Sequence, residues 1–331
     1  MSVEPVMLSI ALSDNERTRP IIEGRCRAEG LRLVPTVVHP SEMFWRQLKF
    51  AEFDVSEMSM SSLFIIDSYG DDRFVGIPVF TMRRHFHTSI LVRKDSGIRE
   101  PRDLIGKKIG VPEYQQTWAV WSRGILEHEF GVQPKDIEWY MERTPDVSHG
   151  ASTGFKAPDG VTVRQIPRSS DIGQMLVAGE LDGTLLYLPE KNLVDRSTAD
   201  LSDTCRLLFP DPTAEAARYY KKTGIYPINH GMVIKRDVHE RYPWAAINIY
   251  HAFNAAKSLA DDITRKTIAD YVSCGLIDPS ALDALNTNPK DYGIRSARKV
   301  LETIATFVHE QGLAKRLVPL EDVFAPSLMG L

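Results

Sequence analysis

The sequence has few cysteines, and they are scattered: Cys26, Cys205 and Cys274 are odd in number, far apart and in no C-x-x-C pair. That pattern implies no disulfide framework and suits reduced thiols in a cytoplasm. Long hydrophobic runs are also missing. No window reaches the roughly 18 uncharged apolar residues of a membrane-spanning helix, and the greasiest stretch, Ser62 to Ile66, is broken within a turn or two. At the N-terminus there is no basic region, and the apolar piece Val6 to Leu12 runs at once into Asp14-Asn15-Glu16-Arg17. This does not read as a secretion signal, and it predicts a cytoplasmic protein. Positive charge is not in excess either. With 40 Lys+Arg against 44 Asp+Glu the formal net charge is −4, so neither nucleic acid nor a membrane is an expected partner. G-x-G-x-x-G and the P-loop pattern are absent, and His128-Glu129 lacks the second histidine of a zinc-protease helix. Dinucleotide, triphosphate and that form of metal chemistry therefore have no sequence warrant.

What is present is an ordinary globular composition, 43% hydrophobic and 25% charged over 331 residues, more chain than one core usually fills. The apolar pattern alternates in type. Met7 to Leu12, Leu31 to Val38 and Phe53 to Met58 read as strands, separated by helices over Pro20 to Glu29, with Gly30 as its C-cap, and Ser41 to Phe50. Val75 to Phe80 and Ser89 to Val92 read as further strands. A second α/β unit starts near Asp103, with a strand ending at Val111, a helix over Trp118 to Phe130, a strand over Ile137 to Tyr140 and a polar loop over Ser148 to Gly160. Val161 to Ile166, a helix near Ser170 to Ala178, Gly183 to Leu188, Arg206 to Phe209 and Tyr226 to Ile234 follow, and from Val238 the chain reads as helical. Trp244, Ile247, Tyr250 and Phe253 recur at helical spacing and read as core. The expected architecture is α/β and two-lobed, with a ligand cleft between lobes: residues 1–102, then 103–224, then a return over 225–331. The crossings fall near Asp95 to Lys107 and Thr223 to His230.

Two apparent motifs fail on context. Gly150-Ala151-Ser152-Thr153-Gly154 matches a hydrolase nucleophile pattern, but a polar loop surrounds it where a strand and a helix are needed. His85 and His87 could face one side of an extended segment as a metal pair, yet they lack a clear third ligand, and hydrogen-bonded strand histidines account for them better. No metal is expected.

An anion has better support. Arg17 and Arg19 follow the first strand, Ser61 and Ser62 stand where the third strand passes into a helix, and Glu113 to Thr117 hold the matching place in the second lobe. In an open α/β sheet these are strand ends facing a crevice, where helix-start N–H groups and arginine forks suit carboxylates. Taken singly, each has a plain alternative: a solvated loop charge, a cap, or a partner for the helix dipole.

Asp14-Asn15-Glu16-Arg17-Thr18-Arg19-Pro20, Arg83-Arg84-His85-Phe86-His87-Thr88-Ser89, Gly106 to Gln115, Gly224-Ile225-Tyr226-Pro227-Ile228-Asn229-His230 and Arg236-Asp237-Val238 resemble the 4,5-dihydroxyphthalate decarboxylase family. The likeness covers nearly the whole chain. It implies a type 2 periplasmic-binding-protein-like fold and cofactor-independent loss of CO2 from 4,5-dihydroxyphthalate, giving protocatechuate. Direct loss would leave an aryl anion, so a proton must first reach the ring carbon that bears the carboxylate. That chemistry needs an acid and a base. His230 and His87 are the expected proton carriers, with Glu113 as a second acid. Arg19, Arg83 and Ser61 are the expected carboxylate anchors, and Thr117 a lesser one. The competing readings are a non-catalytic solute-binding protein for an aromatic carboxylate and a decarboxylase of a related hydroxylated aromatic acid. A homo-oligomer is left open.

Overall fold

A computed structural model describes residues 4–331. The chain opens with β1 (Val6–Leu12), α1 (Arg19–Ile22), β2 (Leu31–Val37), α2 (Pro40–Phe50), β3 (Val55–Ser59), α3 (Met60–Ser68) and β4 (Phe74–Arg83). It continues with β5 (Leu91–Arg93), β6 (Lys108–Val111), α4 (Thr117–Phe130), β7 (Glu138–Met141), α5 (His149–Thr153), β8 (Thr162–Gln165), α6 (Ile172–Ala178), β9 (Gly183–Thr184), β10 (Cys205–Leu207) and α7 (Pro212–Thr223). The return is β11 (Ile228–Lys235), α8 (Arg236–Arg241), α9 (Ala245–Ser273), α10 (Ser280–Ala284), α11 (Ile294–Glu310) and α12 (Leu320–Val323).

Two sheets organise these elements. The first has the order β2-β1-β3-β11-β4 and the second β10-β5-β9-β6-β7-β8. In the first, β1, β2 and β3 are parallel, and β11 runs antiparallel between β3 and β4. It follows that β1, β3 and β4 all end at one edge, where β11 begins. Crossover helices can cover both faces of such a sheet, and β3, β4 and β11 are accordingly buried along nearly their whole length.

The first crossing differs from the expected one, and the return falls where it was expected. The chain leaves the first sheet after Arg83 and enters the second at Leu91, upstream of residues 95–107, because Leu91–Arg93 pairs with β9 and β10. The return runs between Thr223 and Ile228. The second lobe keeps a small core of its own, from Ile166 to Cys205, but the main core is shared. One apolar cluster runs from Leu8 through Trp121 and Trp139 to Leu328, joined where α4 lies against α11. At that seam the Trp121 and Phe307 rings meet edge-on at 5.4 Å, and Trp121 Nε1 donates to the Ile228 carbonyl at 2.8 Å.

Local chemistry explains other departures. The first helix stops after one turn at Ile22, since Gly24 at φ +70° turns the chain out, so Gly30 caps nothing; the Trp244 ring lies against it instead. Trp244 is 39% exposed, whereas Tyr250 and Phe253 are buried as expected of core. The loop at Ser148 folds into α5, with the Ser148 hydroxyl accepting from Ala151 N at 3.0 Å. Helix α7 gives little apolar periodicity because Tyr219 alone is buried on it, although Asp211 caps it and Pro212 starts it.

At Gly124 of α4 an added Cβ would stand 2.2 Å from the Phe307 ring. Gly124→Ala should therefore destabilise the fold by about 1–3 kcal/mol through overpacking, despite the better helix propensity of alanine. Phe307→Leu in the same chain should recover part of that loss, and urea unfolding of both variants checks it.

Candidate active site

In β3 a carboxylate stands inside a strand that is buried along its whole length. Glu57 is fully buried, and its Oε1 accepts from Ser13 N and Ser13 Oγ, both at 2.7 Å. Its Oε2 accepts from Thr81 Oγ1 at 2.5 Å and from His230 Nδ1 at 3.0 Å. Burial works to raise the Glu57 carboxyl, but hydrogen bonds from His230, Thr81 and Ser13 outweigh it and hold the group below the usual carboxylate range. An ionised carboxylate only accepts, so His230 carries its proton on Nδ1 and leaves Nε2 for chemistry. The pairing of β11 with β4 shifts register on both sides of His230, a bulge of the kind that re-aims a side chain at a site.

His230 lines a cavity of about 130 Å³ between the sheets. Two helices begin on its wall: α2 at His39–Ser41 and α4 at Gln116–Trp118. The α4 start has no side-chain cap, so its first N–H groups and the positive end of its dipole are available to an anion. Gln116 Nε2 and Trp118 Nε1, on the same wall, are buried donors with no partner among the described residues. Phe44, Met82, Leu186 and Leu188 supply apolar surface, with Phe44 edge-on to the His230 ring at 4.7 Å. Such a cavity suits a flat ring carrying acidic oxygens.

Across the cavity stands Arg143. Its Nε donates to Asp195 Oδ1 at 2.7 Å, and its Nη2 to Ser41 Oγ at 2.7 Å. Its Nη1 lies 3.5 Å from His149 Nε2. Arginine only donates, so His149 Nε2 is the acceptor, and its proton sits on Nδ1, 3.3 Å from Ser62 Oγ. Burial first, then the Arg143 charge, pushes His149 down to about 3, so this imidazole stays neutral at ordinary pH.

The structure brings together only part of the expected site. His230 and Thr117 line the cavity. Ser61 lies just behind it: Ser61 N donates to Thr117 Oγ1 at 2.9 Å, and Ser61 Oγ donates to the Gln115 carbonyl at 2.6 Å. Glu113 is fully buried and off the cavity wall, with its Oε2 accepting from His149 N at 3.0 Å. Burial raises its carboxyl against the pull of Arg143, so it serves to hold α5 in place. His87 turns away into the crossover, 3.0 Å from Glu215 of α7, because residues 86–89 form a tight turn rather than a strand. His85 lies beside Tyr226, their rings 5.0 Å apart. Arg83 points behind the sheet edge to the Asp291 carbonyl, at 2.7 Å. Arg19 is at the surface in a two-pronged pair with Asp14, at 2.9 and 3.1 Å, because α1 starts at this residue and directs it to solvent. Gln116 falls in the segment 113–117 expected to face the crevice, whereas sequence reasoning missed Glu57, Phe44, Trp118, Arg143 and His149. Of these only Glu57 left a signal, a lone charge between Val55 and Met58 in a strand.

Among known proteins, the family described as NMT1/THI5 like matches residues 76–175. The chain is 32% identical over 325 residues to the 4,5-dihydroxyphthalate decarboxylase of Comamonas testosteroni, covering 97% of each. To the Pseudomonas putida 4,5-dihydroxyphthalate decarboxylase it is 35% identical over 190 residues, 56% of this chain and 74% of that one. Two solved structures share its architecture. The alkanesulfonate-binding protein SsuA of Xanthomonas axonopodis pv. citri, bound to MOPS, superposes with a TM-score of 0.57 at 13% identity over 98% of this chain and 99% of that one. The aliphatic sulphonate binding protein SsuA of Escherichia coli gives 0.55 at 15% identity, over 97% and 92%. At such identities the likeness concerns the fold, which is the two-lobed periplasmic-binding-protein-like one expected.

The neutral His149 makes stability depend on pH. Unfolded, it takes up a proton below its ordinary value of 6.5; folded, it resists down to about 3. Stability should fall as pH drops through that window, by up to about 1.4 kcal/mol per pH unit. Denaturant unfolding at pH 7 and pH 5 should show the loss, and His149→Gln should reduce it.

Proposed function

This chain belongs to the 4,5-dihydroxyphthalate decarboxylase family, and from that premise we propose that it removes CO2 from 4,5-dihydroxyphthalate to leave 3,4-dihydroxybenzoate (protocatechuate), with His230 delivering the proton. The observation that carries this reading is the buried Glu57–His230 pair, set on a cavity whose wall holds unpartnered donors. The ring lies among Phe44, Met82, Leu186 and Leu188, with acidic oxygens toward Gln116, Trp118 and the start of α4.

Electron release from the hydroxyl para to the departing carboxylate loads the ring carbon that bears it. His230, whose Nδ1–H is held by Glu57, gives that carbon a proton from Nε2. The bond to the carboxylate then breaks, its electron pair restores the aromatic ring, and CO2 leaves. Written so, the step balances without a redox partner or an added cofactor. Thr117, tied to Ser59 Oγ at 2.8 Å and to Ser61 N, fixes the α4 start against β3, which sets the distance between anion donors and imidazole. We place the activity in the cytoplasm: Cys26, Cys205 and Cys274 are all free thiols, as a reducing compartment would keep them. No helix among the described residues is long and apolar enough to cross a membrane.

Purified protein supplied with 4,5-dihydroxyphthalate and no nucleotide or flavin should release CO2 and 3,4-dihydroxybenzoate in equal amounts, followed by chromatography. Tight binding without turnover would leave a carboxylate-binding protein instead. His230→Ala should lower kcat by about 10²–10⁴ with a smaller change in KM. Glu57→Gln should lower kcat less than His230→Ala, because an amide can still accept from Nδ1 and hold the tautomer while the buried charge is lost.

A further inference from the structure

On a regular strand neighbouring side chains point to opposite faces, so one strand offers a cavity only every second residue. β11 departs from this. Asn229 and His230 are consecutive, and both line the cavity. The pairing with β4 shows how: Ile228 stands opposite Arg83 and His230 opposite Met82, so two steps along β11 meet one along β4, and Asn229 is the extra residue of the bulge. Such an insertion frees the extra residue from the ladder and re-aims it, here toward the space that holds the imidazole.

One contact orients the Asn229 amide. Its Nδ2 donates to Met82 Sδ at 3.4 Å, and a thioether sulfur only accepts, so the nitrogen faces Met82. Oδ1 is left with no donor among the described residues, and unlike Gln116 Nε2 and Trp118 Nε1 it is not fully enclosed by protein. The residue as a whole is only 9% exposed, so this oxygen opens to the cavity rather than to the outer surface.

The wall therefore offers two kinds of partner. Gln116, Trp118 and the start of α4 donate, whereas Asn229 Oδ1 accepts. An ionised carboxylate has only lone pairs to offer, so it is drawn to the donors and repelled by an amide oxygen. A phenolic hydroxyl can donate, and no other substituent of a dihydroxyphthalate ring can. A ring that set a carboxylate or a bare C–H against Oδ1 would displace its water without replacing the hydrogen bond, and a site built in this way rejects ligands that lack the hydroxyl.

We propose that Asn229 is a specificity residue whose Oδ1 accepts a hydrogen bond from a ring hydroxyl, so that the cavity selects hydroxylated aromatic acids over their unhydroxylated analogues. This rests on the decarboxylase reading for the identity of the ring, and deepens it by naming the group that reads the hydroxyl.

The test compares wild type with Asn229→Leu and Asn229→Ala, which remove the acceptor at two different volumes, and with Asn229→Asp, which keeps it in the same shape. Thermal melting first shows which variants fold, and either apolar one suffices. Calorimetry then measures binding of 3,4-dihydroxybenzoate and of benzoate, both singly charged at neutral pH, so that the ratio of their affinities cancels any change in the charge of the wall. Wild type should favour 3,4-dihydroxybenzoate. The apolar variants should lower that ratio by about tenfold, the loss of one hydrogen bond together with the exposure of its partner, and Asn229→Asp should keep it. A ratio unchanged in the apolar variants overturns the assignment, as does one lost equally in Asn229→Asp, which would mark a structural role, or a wild type with no preference between the two ligands. The reaction is judged separately. Release of CO2 from 4,5-dihydroxyphthalate with an unchanged ratio keeps the decarboxylase reading and removes the hydroxyl contact, whereas the expected ratios without CO2 keep the contact and remove the reaction.

Discussion

Everything at this site depends on one buried carboxylate. Glu57 receives hydrogen bonds from the turn after β1, from β4 and from β11, so one side chain ties together strands from distant parts of the chain. A buried charge with this many donors is tolerable because each lone pair is used; removing His230 or Thr81 would leave part of it uncompensated. The same compensation keeps Glu57 ionised and thereby decides which nitrogen of His230 carries a proton. Electrostatic satisfaction of the fold and preparation of the imidazole are one arrangement.

Around that pair the cavity is assembled from both sheets. The starts of α2 and α4 converge on it, and contacts across the cleft hold them there. Trp45 Nε1 and Lys49 Nζ donate to the Asp146 carbonyl at 3.0 and 3.1 Å, and Arg143 reaches Ser41 on α2. Arg143 is neutralised by Asp195, so its part is to shape the wall and keep His149 uncharged. The partners left open for an anion are instead neutral donors: Gln116, Trp118 and the first N–H groups of α4. Neutral donors bind an anion without gripping its charge as firmly as arginine does, which suits an oxygen that must change its electron count during the reaction.

Much of the fold was legible because burial imposes simple periods. β1, β2, α2, β3, α4 and β11 lie within a residue or two of where alternation and helix-stop signals put them. The misreadings follow from local chemistry that such periods do not carry. A glycine two residues on cuts α1 to one turn, α7 buries too little to show a stripe, and the serine-capped α5 hides within a polar run. At the site, His230 and Thr117 stood at strand and helix ends where a crevice was expected, and both line the cavity. Arg19 and His87 stood at comparable ends and do not, because a surface partner, Asp14, and a buried one, Glu215, hold them elsewhere.

By itself the sequence determined that this is a two-lobed α/β chain suited to an acidic small molecule, because residue type and spacing dictate which faces are buried and where helices start. It also determined kinship, through runs such as Tyr226-Pro227-Ile228-Asn229-His230. Only the tertiary structure decided that Glu57 orients His230 and that Arg143, held by Asp195 and Ser41, forms the opposite wall with His149. Glu57 and His230 are 173 residues apart and Arg143 and Asp195 are 52 apart; such partners meet only when strand order places their ends side by side, and no local pattern encodes that order.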